Sequence, residues 1–205
     1  MFATCSAPQP KNKWQFEAVN MTQAYQNHFL QGKTRRASLD LKHAKQLSKQ
    51  SADFQTLIDV ELTQCAMNLS VLKAQNCEHV TSLLQVQPNA KQEAYLALLS
   101  STLESKDIDL LPKQYQNFAR ALEKKDTELI NEALRDIKPL SSKLISSSVS
   151  LEYISNENII MLIDELSYSG YKNPLISWLR VQASKETNET KKVRIQAKIK
   201  VLLSK

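Results

Sequence analysis

The sequence predicts an all-α fold, and three observations support that prediction. The 205 residues include only two glycines, Gly32 and Gly170, whereas the turns of a β-protein usually require many more. Apolar residues recur three and four positions apart through most of the chain, which is the period of an amphipathic helix. The segments between these patterns are short, and short connections make neighbouring helices antiparallel. We therefore expect roughly ten helices arranged as an array of antiparallel helical hairpins.

The chain divides into a short leading segment and one long helical region. Residues 1–13 contain two prolines and precede the first helical pattern, so we expect a flexible N-terminal tether there. Residues 14–205 form the expected all-helical domain. The pattern breaks at residues 88–89, and two subdomains, residues 14–88 and 89–205, are the alternative to a single domain.

Four helices are expected before this break. The first ends at Gly32, because glycine readily adopts the left-handed conformation that closes a helix. Ser51 is the predicted N-cap of the third helix, and the fourth runs from about residue 77 to 84. The apolar faces are, in order, Met21, Tyr25 and Phe29; Ala37, Leu41, Ala44 and Leu47; Phe54, Leu57, Ile58, Leu62, Cys65 and Leu69; and Val80, Leu83 and Leu84.

The remaining helices are predicted mainly from polar N-caps and from prolines in a first turn. Leu129 and Ile160 are expected on inward faces, and the serine-rich stretch 141–150 is expected to form a weak helix. The predicted starts are Ala94, Pro112, Asp126 or Thr127, residue 141, Ser155 or Asn156, Asn173 followed by Pro174, and Asn188.

The residues around the two glycines repeat a pattern. Around Gly32 lie Ala24, Tyr25, Ala37, Leu41 and Ala44, and around Gly170 lie Leu166, Leu175 and Leu179. This pattern resembles the tetratricopeptide repeat (TPR), in which a glycine joins two closely packed helices. The resemblance implies TPR-like hairpins, and an irregular α-solenoid or a helical bundle is the alternative.

The region around Cys5 carries a second resemblance. The small residues Ala3 and Thr4 precede Cys5, and a polar segment follows it. This arrangement resembles the cleavage site of a bacterial lipoprotein, where the new N-terminal cysteine carries lipid. The resemblance implies lipid attachment at Cys5 and a periplasm-facing position on the membrane of the cell envelope. An incidental cysteine in an ordinary terminus is the alternative.

Cys65 and Cys77 are spaced for a structural disulfide. They are separated by 12 positions on either side of a predicted turn, so two antiparallel helices would bring them together. Such a bond is typical of an oxidising compartment. The alternative is a pair of buried free thiols that pack as small apolar side chains.

The sequence contains no recognised catalytic or metal-binding motif. None of His28, His43 and His79 has another histidine three or four positions away, whereas zinc needs three or four convergent ligands. Two glycines cannot build a phosphate-binding loop. We therefore expect no enzyme activity, no cofactor and no metal site.

Positive charge is concentrated in the last helix of a chain whose net charge is +6. A basic face of this kind can contact an anionic partner, or it can simply be solvated. The expected contact residues are Lys191, Lys192, Arg194 and Lys198.

These patterns together predict a non-enzymatic, lipid-anchored envelope protein that acts as a scaffold for another protein. Helical arrays bind partners through extended surfaces rather than through catalytic centres. The alternative is a cytoplasmic basic helical protein that binds nucleic acid through residues 33–49 or through the last helix. No aromatic residues alternate with the basic ones, so the sequence does not favour nucleic acid as the partner.

Overall fold

The computed structural model describes residues 12–73 and 77–204, and these residues form helices joined by turns, with no strand among them. The all-α prediction is therefore confirmed for the described part of the chain. The helices are α1 (Lys13–Leu30), α2 (Thr34–Gln50), α3 (Phe54–Ser70), α4 (Glu78–Val86), α5 (Ala90–Leu99), a 3₁₀ helix (Ser105–Leu110), α6 (Lys113–Glu123), α7 (Thr127–Asp136), α8 (Leu140–Val149), α9 (Asn156–Tyr168), α10 (Lys172–Lys185) and α11 (Glu189–Leu203).

Polar N-caps begin several helices where the sequence predicts them. Asp126, Ser155 and Asn188 each accept hydrogen bonds from backbone N–H groups of the following turn. The predicted cap at Ser51 is wrong, because Ser51 ends α2 and Asp53 caps α3 instead. Serine and aspartate both fit an N-cap, so sequence alone does not separate two candidates that lie two residues apart.

The two glycine turns have the expected backbone conformation. Gly32 has φ of 76° and Gly170 has φ of 66°, values that glycine adopts without steric cost. The predicted N-cap at Asn173 is wrong, since α10 already begins at Lys172. Pro174 is therefore the third residue of α10, where it breaks no intrahelical hydrogen bond because the first N–H groups of a helix have no such partner.

A continuous cluster of buried apolar side chains includes residues from both halves of the chain, from Tyr25 to Ile195. Helix α3 is central to it, with ten of its 17 residues buried. Many helices that follow one another pack together, most extensively α1 with α2 and α10 with α11. Longer-range packing of α3 on α8 and of α1 on α10 joins the two halves.

The serine-rich segment forms helix α8 and lies in the interior. Residues 142–148 are all buried. Ser148 donates its hydroxyl hydrogen to the carbonyl oxygen of Leu144, a bond that allows a small polar side chain to be buried. Lys143 Nζ lies 2.6 Å from Glu165 Oε1 of α9, so this lysine enters the interior with a partner. The prediction of a helix here is confirmed.

Candidate functional site

The three cysteines differ in what the structure says about them. Cys5 lies outside the described residues. Cys65 and Cys77 are joined by a disulfide, with their Cα atoms 6.1 Å apart, so the predicted pair is brought together. The bond links the middle of α3 to the residue that precedes α4.

A polar cluster lies beside this disulfide, and we call it the Glu61 cluster. It comprises Glu61, Lys45, Gln64 and His79. Lys45 Nζ lies 2.7 Å from Glu61 Oε2 and 2.6 Å from Gln64 Oε1. His79 Nε2 lies 3.7 Å from the other oxygen of Glu61. Cys77 precedes His79 by two residues, so the disulfide and this histidine lie at the same end of α4.

The ion pair at the centre of the Glu61 cluster is largely enclosed, whereas the side chain of His79 is 61% exposed. The side chain of Glu61 is only 8% exposed, and that of Lys45 is 23% exposed. Burial raises the pKa of the nearby Tyr25 hydroxyl well above its usual value, and the negative charge of Glu61 raises it further. The polar contacts of the Glu61 cluster join α2, α3 and α4.

The sequence does not predict this cluster, because its members come from three separate helices. Lys45 and His79 are 16 and 18 positions from Glu61. Helical periodicity places each residue on a face of its own helix, but it does not say which polar faces meet. The described residues contain no group of three or more histidine, cysteine, aspartate or glutamate side chains that could hold a metal ion. None of the helices in this part of the chain is long and apolar enough to cross a membrane.

A surface groove of about 510 Å³ lies among the last three helices. We call it the α9–α11 groove. Leu175 and Leu179 of α10 contribute apolar surface, together with Ile163 of α9 and Val201 of α11. Leu175 and Leu179 are themselves buried, whereas Val201 is 72% exposed. The groove is therefore an apolar surface that is open to solvent on the side of α11.

Two cations line the α11 side of this groove. Arg194 and Lys198 are four residues apart and so lie on one face of the helix. Both are exposed, and among the described residues neither takes part in an ion pair. Asp164 of α9 also lines the groove. The positive charge of the groove is therefore concentrated on the side of α11.

The four predicted contact residues on α11 are divided by the structure. Arg194 and Lys198 line the groove, while Lys191 and Lys192 do not. Lys191 precedes Arg194 by three positions and so continues the same face. Lys192 lies on a different face of α11 from Arg194, and its Nζ is 3.6 Å from Glu189 Oε1. The contact role of all four residues stays a prediction.

A second groove, of about 490 Å³, lies between α4 and α5. Leu84, Pro88 and Leu96 contribute apolar surface, and Glu93 is its charged lining residue. It lacks the pair of cations that the α9–α11 groove presents. The α9–α11 groove is therefore the better candidate for recognising a charged partner.

No protein-family model, no curated protein and no solved structure matches this chain.

Proposed function

We propose that this chain is a non-enzymatic, lipid-anchored protein of the bacterial cell envelope that docks another protein in its α9–α11 groove. The observation that carries the proposal is an open apolar groove with two exposed cations that have no ion-pair partner among the described residues. Apolar surface with a polar rim is the usual composition of a protein-binding site.

The envelope location is supported by the cysteines. Disulfides persist in oxidising compartments and are rare in the reducing cytosol. The bond between Cys65 and Cys77 fits a protein that is exported. Cys5, with small residues before it and a polar segment after it, would then attach lipid and leave the helical domain facing the periplasm.

The scaffold role is supported by the order of the helices. Several pairs of consecutive helices pack together, and the α1–α2 and α9–α10 turns both contain a glycine with positive φ. This arrangement is compatible with an array of helical hairpins that resembles TPR units. Such arrays present grooves formed by successive helices, and these grooves bind other proteins.

Site-specific photo-crosslinking in the host cell tests the docking surface. We expect p-benzoylphenylalanine in place of Val201 to give a covalent adduct with one protein. The same residue in place of Val193 should not, because Val193 is also exposed on α11 but does not line the groove.

The adduct supports the proposal only if the purified partner also binds the purified chain. That binding must be weakened by Val201→Glu and not by the matched Val193→Glu. Equal adducts from both positions, or no adduct from either, would contradict docking in the groove.

Labelling of cells with a radioactive fatty acid tests the anchor. We expect the label to be incorporated into the wild-type chain and lost in Cys5→Ser, with the variant released from the membrane fraction. Equal labelling of both would show that Cys5 is not the lipid-bearing residue.

A further inference from the structure

The shape, residue spacing and charge distribution of the α9–α11 groove indicate the kind of partner that it fits. Resting on the docking function proposed above, we infer that its occupant is a single amphipathic α-helix of a partner protein, with acidic residues along one flank. Three features of the groove support this inference.

The first feature is the shape. Helices α9 and α11 each pack against α10, and residues from all three line the groove. The α10 surface thus lies between two flanking helices. A groove between neighbouring helices is the surface into which the side-chain ridges of another helix pack. One further helix therefore fits here as the next element of the array would.

The second feature is the spacing of the lining residues. Ala197 and Val201 are exposed and lie one helical turn apart on α11, and Arg194 and Lys198 are exposed and lie one turn apart beside them. An apolar row and a basic row thus repeat with the same period. A partner that matches both rows needs apolar residues about one turn apart and acidic residues about one turn apart, a pattern that an amphipathic helix presents on adjacent faces.

The third feature is the distribution of charge. Helix α11 carries five lysine and arginine residues and a single acidic residue, Glu189. The α9 wall instead contributes Asp164. Acidic side chains of the partner are therefore favoured on the flank beside α11 and disfavoured on the flank beside α9. This asymmetry fixes the direction in which the partner's acidic stripe faces.

A synthetic peptide of about 18 residues tests the inference directly. The probe is an alanine-rich helix with leucines at i, i+3, i+4 and i+7 and glutamates at i, i+4 spacing along one flank. A second peptide replaces each glutamate with lysine, and a third keeps the composition but scrambles the leucine positions. Fluorescence anisotropy with the full chain measures the dissociation constants.

We expect the acidic peptide to bind at least roughly tenfold more tightly than either control peptide. The double variant Arg194→Glu, Lys198→Glu should weaken this binding by at least roughly tenfold. The matched control is Lys192→Glu, Lys200→Glu, which makes the same charge change on the same helix outside the groove lining. It should change binding by less than roughly threefold.

Equal binding of the acidic and lysine peptides would overturn the inference, and so would equal effects of the two double variants. Binding of phosphatidylglycerol vesicles or duplex DNA through Arg194 and Lys198, with no binding of the acidic peptide, would replace the inferred occupant with a membrane or nucleic acid. A dimer in sedimentation that Val201→Glu dissociates would identify the occupant as a second copy of this chain.

The outcomes also separate this inference from the proposed function. If photo-crosslinking at position 201 identifies a partner while the acidic peptide does not bind, docking in the groove stands and the inferred partner chemistry is wrong. If neither experiment gives binding, both proposals fail.

Discussion

The Glu61 cluster and the α9–α11 groove both place basic side chains beside apolar surface, but they treat the charge in opposite ways. In the cluster, Lys45 donates to Glu61 and Gln64 at 2.7 and 2.6 Å and is only 23% exposed. In the groove, Arg194 and Lys198 are exposed and lack an ion-pair partner among the described residues. A charged side chain that is paired within the chain stabilises the folded state. A charged side chain without such a partner is available to bind another molecule.

This difference has an energetic consequence. Removing one member of an enclosed ion pair leaves the other buried and unpaired, which is strongly destabilising. Changing an exposed cation alters the free energy of unfolding very little. Substitutions in the Glu61 cluster should therefore lower stability, whereas substitutions of the groove cations should weaken binding and leave stability nearly unchanged.

The largest effect on stability is expected from removing the disulfide that lies beside the Glu61 cluster. Replacing both cysteines in Cys65→Ala, Cys77→Ala should lower the free energy of unfolding by about 3 kcal/mol, because the unfolded chain gains the freedom of an open loop. Urea unfolding followed by far-UV circular dichroism measures this change. Cys5→Ala is the matched control and should unfold like the wild type, and an unchanged midpoint for the double variant would show that the bond contributes no stability.

A smaller loss is expected from Lys45→Met, which leaves the Glu61 carboxylate without its ammonium partner. We expect a decrease of about 2 kcal/mol, less than for a fully buried pair because both side chains retain some contact with water. The same urea titration applies. Lys42→Met on the exposed face of α2 is the control and should change stability by less than about 0.5 kcal/mol.

The double variant Lys45→Met, Glu61→Gln distinguishes a lost ion pair from lost packing. With both charges removed, much of the lost stability should return, because no uncompensated charge stays buried. If the double variant is as unstable as Lys45→Met or less stable, the ion pair is not the source of the effect.

Tyr25, which lies near the Glu61 cluster, makes the free energy of unfolding depend on pH. Its pKa is raised in the folded chain by burial and by Glu61, while the unfolded pKa is about 10. The folded state therefore holds this proton more tightly, so its stabilising effect is complete below about pH 10 and is lost as the pH rises toward the folded pKa. Urea unfolding at pH 8 and pH 11 measures how much free energy of unfolding each protein loses between the two pH values. We expect this loss to be about 1 kcal/mol smaller for Tyr25→Phe than for the wild type. Equal alkaline losses would show that the Tyr25 hydroxyl does not titrate differently on folding.

The helices and the disulfide could be predicted from the sequence because their signals are local. The N-caps at Asp126 and Ser155 and the glycines at the turns act within a few residues of themselves. The cysteines could be paired because only a short predicted turn separates them. Each of these features needs knowledge of one helix or of two consecutive ones.

Features that depend on how helices pack could not be predicted in this way. Leu129 and Ile160 were expected to face inward but are 40% and 49% exposed. Ile159, next to Ile160, is 1% exposed, and adjacent helical residues point about 100° apart, so only one of the two reaches the interior. The sequence likewise shows the α9–α11 groove only as a basic stripe, because its apolar lining comes from three separate helices.

The smallest expected effect on stability belongs to the groove, and it is the sharpest test of the comparison. Arg194→Glu, Lys198→Glu should change the free energy of unfolding by no more than about 0.5 kcal/mol, since both side chains are solvated and unpaired. Urea unfolding of this variant beside Lys45→Met measures the contrast directly, and salt should have little influence on it because no ion pair is lost. A loss above about 1 kcal/mol would mean that Arg194 and Lys198 already have structural partners within the chain. In that case the groove would resemble the Glu61 cluster, and its cations would not be free to recognise a partner.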